Sequence, residues 1–70
     1  MNRVQKNKLK RSKWTAVEPK KKEKHFIVTH LVDEEAAIPS VVMEAVHSKR
    51  AFVFPWTELK DDSLWRHGWR

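Results

Sequence analysis

The sequence predicts a mostly β fold: a small curled antiparallel sheet of about four strands, with a short C-terminal helical turn and a mobile basic N-terminal arm. Three observations carry this expectation. Residues 25–32, His-Phe-Ile-Val-Thr-His-Leu-Val, are dense in β-branched and aromatic types. Residues 51–56, Ala-Phe-Val-Phe-Pro-Trp, put Phe52, Phe54 and Trp56 on one face at period two. The chain has 70 residues with four Trp and three Phe. A domain this short buries only about 60% of its unfolded surface. It therefore needs a few side chains that each bury roughly 150–250 Å².

The elements follow in order. Residues 1–11 hold only three apolar side chains, Met1, Val4 and Leu9. That is too little burial to offset backbone ordering at about 1–2 kcal/mol per residue. The expectation is an arm over 1–11 and one domain over 12–70. Residues 13–18 read as a strand, stopped by Pro19. Residues 19–24, Pro-Lys-Lys-Lys-Glu-Lys, read as a solvated loop. Residues 25–33 form the strongest strand signal. One face would carry Phe26, Val28, His30 and Val32, the other His25, Ile27, Thr29 and Leu31. Apolar groups on both faces predict a central strand, with His30 partly buried.

Residues 38–46 fit two periods. Ile38, Val41, Val42, Ala45 and Val46 match a helical stripe, while Val41, Met43 and Ala45 match one face of a strand. Pairing with 50–56 favours a strand over 41–48. A two-residue turn fits at Ser48-Lys49 or Lys49-Arg50, and the first sets Ala45 opposite Phe52, Met43 opposite Phe54 and Val41 opposite Trp56. Neither Gly nor Asn is present to favour that turn. Pro55 marks an edge strand or its end. Residues 57–62 read as one helical turn and Ser63 to Trp65 as another, with a bend at Gly68 and at least one of Trp65 and Trp69 folding back. The expected architecture resembles a small SH3-like barrel. Its expected core is Trp14, Phe26, Val28, Met43, Ala45, Phe52, Phe54, Trp56 and Leu59.

Charge divides the chain. Residues 1–24 carry ten bases and two acids, and residues 25–70 five bases and seven acids, within a net charge of +6. Phosphate neutralisation by Lys and Arg releases condensed counterions and gives salt-dependent binding without sequence readout. The candidate RNA- or DNA-binding residues are Lys10, Arg11, Lys13, Lys20, Lys21, Lys22, Lys24, Lys49 and Arg50. The competing reading is that these cations keep a small apolar domain soluble. A protein partner at a sheet edge or in a Trp-lined groove is the alternative binding mode.

Other chemistries find little support. Cysteine is absent, which removes disulfides, thiolate catalysis and Cys-built zinc sites. His25 and His30 point to opposite faces of one strand, and His47 and His67 lie far away in sequence. No metal or cofactor is expected. Glu58, Asp61 and Asp62 read as a solvated cap, not as carboxylates converging across a cleft. Ser12, Ser40, Ser48 and Ser63 lack a nucleophile-elbow context. A domain of this size leaves little room for a pocket of about 300 Å³ or more. The expectation is a protein that is not an enzyme. No run of 18 or more apolar residues exists, and no apolar stretch follows the basic N-terminus. The default compartment is the cytoplasm.

Several segments together carry a family likeness. They are Ser12-Lys13-Trp14-Thr15-Ala16-Val17 with Pro19, and Lys22-Glu23-Lys24-His25-Phe26-Ile27-Val28. Glu44-Ala45-Val46 with Ser48-Lys49-Arg50 follows. Then come Pro55-Trp56-Thr57-Glu58-Leu59-Lys60-Asp61, Trp65, Gly68 and Trp69. In order and spacing they resemble the small tryptophan-rich family of bacterial proteins of unknown function, from about residue 9 onward. The resemblance implies a small bacterial stand-alone protein with strands across 41–56. It implies no activity, cofactor or catalytic residue. The family usually has Arg where this chain has Thr57, which removes one candidate cation.

Overall fold

The 25–32 run becomes the middle of a five-stranded antiparallel sheet. In the computed structural model, which describes residues 2–70, the strands are β1 (Lys13–Lys20), β2 (Glu23–Val32), β3 (Ser40–Ala45), β4 (Ala51–Pro55) and β5 (Trp65–His67). Their order across the sheet is β4-β3-β2-β1-β5. Short 3-10 turns span Lys6–Lys8 and Trp56–Lys60. Among the described residues no helix is long and apolar enough to cross a membrane.

The sheet curls but does not close into a barrel. β4 and β5 lie at opposite edges and share no ladder. Side chains bridge the gap instead: the Phe54 ring of β4 stacks on Trp65 of β5 at 5.6 Å between centroids. Phe26 meets Trp65 edge-on at 5.1 Å. The concave face so formed buries Trp14, Phe26, Val28, Val41, Met43, Ala45 and Trp65, with Leu59 of the second 3-10 turn beneath. Phe52, Phe54 and Trp56, expected in the core, pack against it half-buried. Truncating Met43, which has no exposed surface, to Ala would cost about 2–5 kcal/mol.

Strand 41–48 is confirmed over Ser40–Ala45, and the helical period of that segment is not used. Its pairing differs from expectation by two residues. Met43 faces Phe52 and Val41 faces Phe54. A shift of two leaves every side chain on its expected face, since the strand period is two. The cause is the turn. Without Gly or Asn the two-residue connection does not form, and residues 46–50 make a longer loop with Lys49 left-handed at φ 64°. Its Lys49 N–H donates to the Ala45 carbonyl at 2.8 Å.

Three other expectations change. A bulge between Val28 and His30 reverses the alternation of β2, so that His30 pairs with Val42 and Leu31 with Val41. Leu31 turns to the core, and His30 is exposed rather than partly buried. The 19–24 loop shrinks to Lys21-Lys22, because Lys20 and Glu23 already pair. Both lysines are left-handed, at φ 53° and 64°, as a type I′ hairpin requires. The second turn expected at Ser63 to Trp65 is a single one over 62–64, closed by Leu64 and Trp65 N–H donating to the Asp61 carbonyl at 3.1 and 3.0 Å, and it ends at Trp65. Trp65–His67 instead pairs with β1, Trp14 facing His67 and Ala16 facing Trp65.

Residues 2–11 lie against the body. Leu9 is a core residue, 1% exposed, and Val4 packs beside it. Burying one Leu contributes about 1.5–3 kcal/mol. The Arg11 N–H donates to the Val28 carbonyl at 2.7 Å, and Val28 N–H to Ser12 at 2.9 Å, continuing the β1–β2 ladder. Ser12 Oγ donates to the Leu9 carbonyl at 2.6 Å and accepts from Trp14 Nε1 at 2.8 Å. Met1, the first residue of the expected arm, lies outside the described residues.

Candidate functional site

Alternating strand direction sorts the candidate cations. β1 runs from Lys13 to Lys20, so the Lys21-Lys22 turn and the 46–50 loop share one end of the sheet. One carboxylate ties the two turns together. Glu23, 7% exposed, accepts from Ser48 Oγ and from Arg50 Nη1, the latter at 3.4 Å. Buried carboxylates need such partners. With Arg50 occupied at Glu23 and laid over the Phe52 ring, the outward charge here belongs to Lys20, Lys21, Lys22, Lys24 and Lys49, all exposed.

Lys10, Arg11 and Lys13 do not join them. They precede or open β1, and seven residue steps at about 3.3 Å each put Lys13 roughly 23 Å from Lys20. Lys10 shares a hollow with Glu34. Lys13 lays its ammonium over the Trp69 ring at 4.8 Å. Trp69, 44% exposed, folds back on the convex face, where its indole N–H donates to the Phe26 carbonyl at 3.0 Å. The expected single basic rim is thus two separate patches, because the 1–24 charge excess is threaded along the full length of a strand.

A second feature contradicts the expectation that no sizeable pocket fits. An open groove of about 410 Å³ lies where β4 and β5 approach without pairing. Phe26, Phe52, Phe54, Leu64 and Trp65 line it. Its acids are Glu18, Glu23 and Glu58, and its one lining base is Lys20. Arg50 neutralises Glu23. No described residue pairs with the carboxylate of Glu18 or Glu58. The apolar rim is exposed at Val53 (62%) and Leu64 (45%). The Trp65 indole N–H is buried without an acceptor among the described residues.

The two free edges beside this groove differ. Ala45 N–H donates to the Arg50 carbonyl at 2.8 Å and Trp56 N–H to Pro39 at 3.1 Å. Even-numbered residues of β4 therefore point their peptide groups at β3, and Ala51 and Val53 point theirs outward. No described residue meets them. On β5 the outward Trp65 N–H donates to the Asp61 carbonyl at 3.0 Å. Its carbonyl accepts from Asn2 Nδ2 at 2.7 Å. The His67 carbonyl accepts from Arg70 Nε at 3.2 Å.

The remaining titratable groups form no further site. Among the described residues no three of His, Cys, Asp and Glu come together as metal ligands would. His67 packs on Trp14 at 4.8 Å, and His30 Nδ1 meets its neighbour Thr29. Asp61 accepts from Ser63 Oγ (2.5 Å) and Ser63 N–H (2.9 Å), which hold its carboxyl below the ordinary value. Sequence reasoning named the lysines, missed Glu18 and read Glu58 as part of a solvated cap, not as a groove acid. The available signal was the charge-free run Ala51–Pro55, which a sheet edge normally interrupts with lysine.

A sequence model described as "Tryptophan-rich protein (DUF2389)" matches residues 12–70. The chain belongs to that family. No curated protein and no solved structure matches it.

Proposed function

We propose that this member of the tryptophan-rich family is a non-enzymatic binding module that holds RNA or DNA phosphates at the turn end of its sheet. The observation that supports this reading is the tie at Glu23. It fixes the Lys21-Lys22 turn beside the 46–50 loop and leaves five lysines directed to solvent. Cations held on short turns lose little further backbone entropy when they meet a phosphate chain. Binding of this kind is sequence-tolerant and weakens steeply with salt. Lys10, Arg11 and Lys13 lie at the other end and are not part of this surface.

The test is fluorescence anisotropy with a labelled single-stranded RNA and a DNA of the same sequence, at low and high salt. A triple variant, Lys21→Asn, Lys22→Gly and Lys49→Asn, removes three cations with residues that favour left-handed backbone. The slope of log affinity against log salt is expected to fall by about two, roughly 0.7 per lysine on a single strand. Absent binding at low salt, salt-independent affinity, or an unchanged slope in the variant overturns the proposal.

A further inference from the structure

We infer that the open β4 edge and the adjoining aromatic groove take an extended segment of a partner protein as a sixth strand, with apolar residues at alternate positions flanked by Lys or Arg. Three features define that occupant. The outward peptide groups of Ala51 and Val53 have no partner among the described residues, and unpaired edge groups recruit a strand. The concave side of the edge offers Phe52, Phe54 and Leu64 to every second side chain of an added strand. The groove is flanked by the carboxylates of Glu18 and Glu58, which nothing described pairs. In a chain of net charge +6, this acidic flank selects for cations and against acidic segments.

A second copy of this chain fits the surface less well. Its own edge, Ala51–Pro55, is flanked by bases on one side alone, Lys49 and an Arg50 already held by Glu23, and Pro55 lacks the donor that a continued ladder needs. The chain's other edge is largely closed to it, since Asn2, Asp61 and Arg70 occupy all the outward groups of β5 except the His67 N–H. The groove meets the lysine surface at Lys20 and Glu23, but Lys21, Lys22 and Lys49 do not line it, so variants at those three lysines and variants at Val53, Glu18 and Glu58 test the two readings separately.

The experiment uses the full chain and a fluorescein-labelled nonapeptide. Valine occupies three alternate positions of the peptide, threonine lies between them, and lysine stands at both ends. Amide shifts on binding are expected at Ala51, Val53 and Leu64, with slowed hydrogen exchange at Ala51 and Val53. Val53→Pro removes an outward N–H and leaves the β3 ladder intact, and is expected to weaken binding about tenfold or more. Glu18→Lys with Glu58→Lys, both at the surface of the groove, is expected to weaken it about two- to fivefold per charge. The double variant decides the matter where Val53→Pro does not fold. A peptide ending in glutamate should bind more weakly than the lysine peptide. Equal binding of the two peptides, unchanged affinity in the variants, or shifts confined to residues 20–24 overturns the inference. So does a dimer in sedimentation without peptide that Val53→Pro abolishes, which assigns the edge to a second copy.

Discussion

β4 and β5 are both edge strands of one sheet, yet only β5 has most of its outward groups met by the chain itself. Asp61 and Asn2 meet the outward amide and carbonyl of Trp65, and Arg70 meets His67. Three separate segments converge there, two of them near the termini. β4 receives nothing of the kind, although its Ala-Phe-Val-Phe-Pro sequence is the more apolar of the two. An edge without charge and without cover is a liability in water. The contrast shows that covering an edge lies within this chain's means, and that the uncovered one is the side where the aromatic groove opens.

The largest expected effect comes from breaking the covered side. Trp65→Ala removes the ring that stacks on Phe54 and meets Phe26, costing about 3–5 kcal/mol. That is comparable to the whole stability of a domain this size, at roughly 0.05–0.15 kcal/mol per residue. Phe52→Ala, on the half-buried open side, should cost only about 1–2 kcal/mol. Urea melts of both variants test the asymmetry, and equal losses would erase it. A smaller effect isolates the cap. Asn2 Nδ2 donates to Leu59 and Trp65 carbonyls at 2.9 and 2.7 Å. Asn2→Ala should lower stability by about 1–2 kcal/mol. It should also speed hydrogen exchange in β5 while leaving β4 amides unchanged. Uniform acceleration across both edges would show that the cap has no local role.

The smallest effect is a pH dependence at the turn leading into β5. Asp61 is held below the ordinary 3.8 first by the Ser63 hydroxyl and then by the Ser63 amide. A depressed folded pKa adds stability above the unfolded value and loses it as pH falls through the folded one. Acidification below the ordinary carboxylate range should loosen the 61–63 turn, seen as a shift of the Ser63 amide resonance. Because Asp61 is exposed, global stability should barely respond. In Asp61→Asn the acid response at Ser63 should disappear. Its persistence would assign the titration to another group.

The limits of sequence reading follow the same division. The central strand was legible because both faces of 25–32 are apolar. The faces of β3 and β4 were legible from Val41, Met43, Phe52 and Phe54, and they survived a two-residue error in pairing. The family was legible from the spacing of its Trp motifs. β5 was not legible. In the three-residue run Trp65–His67 only Trp65 favours strands, too little to mark one, and pairing with β1 creates the strand. The bulge after Val28 left no glycine to announce it. Leu9 was discounted because a lone apolar residue among lysines looks solvated until a cavity exists to receive it. The lysine turns were legible from charge alone, and the groove was not, because Glu18 and Glu58 line one groove only when the sheet curls.

Left-handed backbone in this chain is carried mainly by cations. Arg11, Lys21, Lys22 and Lys49 all have positive φ, while the single glycine is Gly68. An L side chain in that region costs about 1–2 kcal/mol. A designer indifferent to charge would write Asn-Gly at 21–22 and gain firmness from it. In a library screened for heat tolerance alone, these turn positions would be the first to shed their ammonium groups. The native sequence sits away from that optimum, and the displacement keeps positive charge at the tips of its hairpins.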